Sequence, residues 1–105
     1  GLRLRKKMAY AGHVSVSLVF NSKGHIISGP EPRISGFAEG LDGSFLENLI
    51  DGVADEAEDV FEAMSPRSRR DEDLVEDRLM SKIKRYVKEQ TGKRSHIEII
   101  AHKVK

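Results

Sequence analysis

The sequence predicts a two-layer α+β domain: a three-stranded mixed sheet packed on a two-helix hairpin, in the order β-β-α-α-β. Three observations carry this expectation. Apolar residues alternate with period two near the start of the chain and again at its end, as in half-buried strands. Between them lie two long segments whose apolar residues recur at helical spacing. At 105 residues the chain is long enough for one domain and too short for two.

The first strand covers residues 13–20, with Val14, Val16, Leu18 and Phe20 on one face and Ser15, Ser17 and Val19 on the other. Asn21-Ser22-Lys23-Gly24 is turn chemistry, so a second strand starting at His25 forms a hairpin with the first. Pro30 and Pro32 cannot donate to a ladder, which makes the second strand an edge or bulged strand that resumes over 33–37. Ser44 and Glu47 have capping-box spacing, with Ser44 as N-cap. In the helix that follows, Phe45, Leu46, Leu49, Ile50, Val53, Ala57, Val60, Phe61 and Met64 form one apolar face at helical spacing. Glu47, Asp51, Asp55, Glu58 and Glu62 fall on the other, and Pro66 ends the helix.

After a polar connector, a second helix spans about 73–91, striped by Val75, Leu79, Ile83, Tyr86 and Val87. Its acids stand first and its bases last, the order that the helix dipole favours, and Gly92 suits a C-cap. The third strand, 96–104, alternates Ile97, Ile99 and Ala101 against Glu98, Ile100 and His102. With the proline-bearing strand at an edge, the first strand is central and the third runs parallel to it. Residues 1–12 read as a basic linker or arm and residues 13–105 as the single domain. Opening on Gly rather than Met, the chain reads as part of something longer.

The net charge of +1 conceals a segregation of sign. Residues 36–65 hold many carboxylates and no Lys or Arg, whereas Arg3, Arg5, Lys6 and Lys7 form a basic run. Arg67, Arg69 and Arg70 cluster in the helix connector, so these seven cations are the candidate RNA contacts. Without stacking aromatics beside them (Tyr10 is the one candidate) they predict weak binding. The chain has no Cys, hence no disulfide or thiolate metal site, in keeping with a cytoplasmic location. No apolar run approaches the roughly 18 residues of a membrane span, so no membrane partner is expected.

No catalytic motif emerges. His13, His25, His96 and His102 fall near or on strands without metal-ligand spacing. Gly36, Gly40 and Gly43 precede a helix, but Glu39, Asp42 and Glu47 beside them would repel a phosphate, so turn duty explains them better. Val19, Ile100 and Val104, with either Ile26 or Ile27, would lie on the sheet face away from the helices. That face is either a contact surface or simple β-propensity.

The run from His13 to Gly24, then Ile27-Ser28-Gly29-Pro30-Glu31 and Ile34-Ser35-Gly36-Phe37, resembles the C-terminal domain of ribonuclease J, an RNA-degrading bacterial enzyme of the metallo-β-lactamase/β-CASP group. Ile83-Lys84-Arg85-Tyr86-Val87, Thr91-Gly92-Lys93-Arg94 and the final apolar strand resemble the end of that domain. The likeness runs over about 6–104. It departs at Ile34-Ser35-Gly36-Phe37, where the family often has Ser-Arg-Gly-Phe, so no role passes to Arg33. The resemblance implies a non-catalytic domain that supports oligomer assembly and full activity of a zinc-dependent exo- and endoribonuclease. The zinc ligands would sit in a preceding catalytic domain, leaving no cofactor here. The implied partners are the rest of that enzyme, further copies of the chain, and RNA bound weakly or through the parent. The competing reading is an autonomous RNA-binding module of the KH type, which clamps nucleic acid with a Gly-x-x-Gly loop. The connector Ser65-Pro66-Arg67-Ser68-Arg69-Arg70 has no glycine.

Overall fold

The alternation at the start of the chain produces the most buried strand of the molecule. In a computed structural model, which describes residues 10–37 and 43–105, β1 runs Tyr10–Asn21 and begins three residues earlier than expected. Val14, Val16, Leu18 and Phe20 are essentially inaccessible to solvent. This strand is central: the sheet order is β2-β1-β3, with β2 (Ile26–Ser35) antiparallel to β1 and β3 (Arg94–Val104) parallel to it. The expected topology is the observed one.

The hairpin turn is closed by a side chain. The Asn21 carboxamide oxygen accepts the backbone N–H groups of Lys23 (3.0 Å) and His25 (2.9 Å), and Gly24 takes the positive φ of 81° that the turn needs. The prolines do not interrupt β2, contrary to the expected break before Arg33. Pairing runs on past them, with Ser17 opposite Glu31, Val19 opposite Ser28 and Phe20 opposite Ile26. Each step carries one extra residue on β2, so the strand absorbs Gly29-Pro30 and Ile27 as bulges. An edge strand leaves half its N–H groups without a ladder partner, so prolines are tolerated there.

The helices are α1 (Gly43–Ala63), a short α2 (Pro66–Arg69) and α3 (Glu72–Thr91). Because α1 already includes Gly43, Ser44 lies inside the helix and is not its N-cap; spacing alone placed that boundary two residues too late. The connector, expected as an irregular segment, contains α2, with Ser65 as N-cap and Pro66 in its first turn. Asp71 caps α3, its carboxylate accepting the N–H of Leu74 at 3.2 Å, and Gly92 ends it in the left-handed region at φ 75°.

One core lies between the layers. Leu49, Val53, Ala57 and Phe61 of α1 and Val75, Leu79, Ile83 and Val87 of α3 meet the β1 row, joined by Ile99 and Ala101 of β3. The Phe20 and Phe61 rings pack tilted at 57° with centroids 5.2 Å apart. Between the helices the Tyr86 hydroxyl lies directly over Gly52, where a Cβ would collide with it.

Candidate interaction surfaces

The connector arginines separate into two kinds. Arg69 is half-buried and turned inward. Its Nε donates to the carbonyls of Phe61 and Met64, both at 3.0 Å, and Nη2 donates to that of Glu62 at 2.6 Å. Nη1 donates to the Gly24 carbonyl at 3.2 Å, and the guanidinium stands 5.3 Å from the Phe61 ring centroid. The sequence reason is plain: α1 has no base in its last turn, so its unpaired C-terminal carbonyls are met by a cation from the next helix. The same side chain ties that helix end to the β1–β2 turn. Arg67 and Arg70 stay exposed, and Arg3, Arg5, Lys6 and Lys7 lie outside the described residues.

The open sheet face is largely polar. Ser15 pairs across with Arg33 and Glu98, and Ser17 with Glu31 and Ile100. On this background Ile100 is 50% exposed, while Val19 and Val104 are half-buried. Of the two candidates on β2, Ile26 packs against the core and Ile27, in the bulge, is exposed. Apolar area on this face is therefore a small cluster rather than a sheet-wide patch.

Where β3 ends, α3 reaches round it. The Glu72 carboxylate accepts the backbone N–H of Lys103 at 2.7 Å and stands 3.9 Å from Nδ1 of His102, while Nζ of Lys103 donates to the Arg70 carbonyl at 2.7 Å. Nothing in the local sequence announces this contact, which spans 31 residues.

The histidines do not converge. His13 approaches Glu98 (3.8 Å) and His102 approaches Glu72. Among the described residues no three His, Cys, Asp or Glu side chains are grouped so as to hold a metal ion. An open groove of about 460 Å³ runs between α1 and α3, with Glu56, Asp59, Arg78, Lys82 and Arg85 on its walls and Lys82 reaching Glu56 at 3.9 Å. Beside it, burial, together with the charges of Glu56 and Asp55, pushes the Tyr86 hydroxyl above the usual tyrosine range. The acids of α1 leave that helix with an exposed face of one sign. No described helix is long and apolar enough to cross a membrane.

Together these features define a small α+β domain whose chemistry lies on its surfaces: an open sheet face, an acidic helix and two exposed connector arginines. A family model described as the ribonuclease J C-terminal domain matches residues 1–104. The chain belongs to that family. Among curated proteins, none matches the chain.

Proposed function

We propose that the chain is the assembly-supporting, non-catalytic C-terminal domain of a zinc-dependent, ribonuclease J-like enzyme that processes and degrades RNA in the bacterial cytoplasm. The observation that carries this reading is the family match over residues 1–104, to the C-terminal domain specifically. The open face supplies a surface of the right kind: burying Ile100, with Val19 and Val104 beside it, would contribute about 1.5–3 kcal/mol per fully buried side chain. Its occupant is the parent's catalytic module or a second copy. RNA meets the domain weakly, through Arg67, Arg70 and the run Arg3, Arg5, Lys6 and Lys7, and away from the acidic face of α1, which repels phosphate.

The KH reading loses its footing in the connector. Ser65 caps a helical turn there and Arg69 is committed to backbone carbonyls, an arrangement without a Gly-x-x-Gly loop.

The test is a comparison of the parent enzyme with and without this domain, by sedimentation and by RNA cleavage. Loss of the higher assembly together with reduced turnover supports the proposal. An unchanged mass and rate would remove it.

A further inference from the structure

A second group of cations stands where α3 gives way to β3. Lys84 and Lys88 lie one turn apart on α3, and Lys93, Arg94 and His96 follow just beyond its C-cap. All five side chains are exposed, and those of Lys84, Lys88, Lys93 and Arg94 enter no ion pair among the described residues. The surrounding carboxylates are few: Glu89 beside Lys88, Asp77 two turns before Lys84, and Glu98, which stands by His13. Arg67 and Arg70 are at the other end of the sheet. The Arg70 carbonyl meets Lys103, nine residues along β3 from Arg94, or about 30 Å at the rise of a strand. Asp71, Glu72 and Asp73 follow those two arginines directly.

Among these cations, a hollow of about 230 Å³ opens between α3 and β3, lined by Met80, Lys84, Ser95, His96 and Ile97. Ser95 is only 5% exposed, and its hydroxyl has no hydrogen-bond partner, alone among the buried side-chain polar atoms of the described residues. Alternation along β3 turns Ser95 to the same side as Ile97 and Ile99, beneath the helices. Burying a hydroxyl without a partner is costly, so such groups mark places where another oxygen completes the bonding. We infer that the hollow binds one phosphate group of single-stranded RNA. The Lys84 ammonium and the Ser95 hydroxyl donate to its oxygens, while Lys88, Lys93 and Arg94 neutralise the adjoining phosphates. The choice of a phosphodiester over a carboxylate-bearing peptide rests on the reading of this chain as part of an RNA-degrading enzyme. A single strand suits the hollow because its flexible backbone can turn one phosphate inward. No aromatic side chain lines the hollow, so these contacts hold the backbone without reading sequence.

Ser95→Ala separates this site from a diffuse basic surface, because it changes no charge. Binding of a labelled single-stranded RNA of mixed sequence to the whole chain, followed by anisotropy at low salt, should weaken about fivefold in Ser95→Ala. Lys84→Gln should weaken it about tenfold and lower the salt slope by about one unit. The Ser95→Ala chain should melt no lower than the unaltered one, since it loses only an unpartnered group. Inorganic phosphate, titrated with NMR detection, should move the amide signals of Ser95, His96 and Ile97, and Lys84→Gln should abolish that response. RNA affinity unchanged by Ser95→Ala, or phosphate shifts confined to other residues, would overturn the site. Phosphate binding at the hollow with RNA affinity untouched by both substitutions would overturn RNA as its ligand, as would displacement of the phosphate by poly-glutamate and not by RNA. None of these outcomes alters the mass and turnover of the parent enzyme, on which the assembly reading stands or falls.

Discussion

Replacing Arg69 separates a structural cation from a nucleic-acid contact. Its guanidinium serves four carbonyls, those of Phe61, Met64, Glu62 and Gly24, and faces the Phe61 ring. A hydrogen bond from a charged group contributes about 1.5–3 kcal/mol net. One nitrogen is shared between two acceptors, however, the Glu62 contact is open to solvent, and water can re-solvate part of the helix end. Counting the equivalent of one or two full bonds plus the packing of the stem, Arg69→Ala should destabilise the domain by about 2–4 kcal/mol. For a domain of this size that lowers Tm by roughly 10–20 °C. Arg69→Lys should recover less than half, because an ammonium cannot span both the helix end and the Gly24 turn. Arg67→Ala and Arg70→Ala, on exposed side chains, should stay within about 0.5 kcal/mol of the parent sequence. Thermal and urea unfolding followed by circular dichroism reads all four. A melt of Arg69→Ala that overlays the controls, or full recovery by lysine, would refute the clamp.

Gly52→Ala gains about 1 kcal/mol of helix propensity but forces a Cβ into the Tyr86 ring and hydroxyl, so a net loss of about 1 kcal/mol is expected. Tyr86→Phe should partly relieve it, and a double-mutant cycle in urea would show the coupling. Tyr86 also sets an alkaline limit. Its folded pKa is raised above the unfolded value of about 10, so its contribution is intact below pH 10 and disappears as pH rises through the folded value; Tyr86→Phe should flatten that decline in a pH series of melts. Any RNA affinity should fall steeply with salt, and Arg67→Ala with Arg70→Ala should reduce the salt slope by about one unit for each phosphate these arginines neutralise, measured by filter binding or anisotropy.

Local pattern carried much of this architecture, and long-range contact carried the rest. The β1 alternation and the α3 stripe were legible because burial on one face demands period two or 3.6, and Gly92 because a left-handed C-cap demands glycine. Proline in β2 signalled an edge correctly yet suggested a break, since the bulges that absorb the extra residues depend on where β1 places its partners. The same bulges decided between Ile26 and Ile27. Arg69 read as one of three equivalent surface cations because its role depends on Gly24, 45 residues away, arriving beneath it. The missing base at the end of α1 was the available hint: a helix lacking its own C-terminal cation invites one from elsewhere. On the candidate surface the face assignment of Val19 and Ile100 followed from alternation, but their unequal exposure reflects neighbouring side chains that only the folded sheet supplies.

The parallel pairing of β1 with β3 also governs when this domain can form. Within this domain the central strand is synthesised ahead of both long helices, and the neighbour that completes its second side follows them. Until Arg94–Val104 has left the ribosome, β1 has a hairpin partner on one side and an open row of amides on the other. Loop-closure entropy over the whole helical hairpin must be met before that row is satisfied, so the sheet assembles late and all at once. A nascent or truncated chain that stops short of β3 offers its most apolar strand to any passing edge, and is the form that chaperones and proteases would meet.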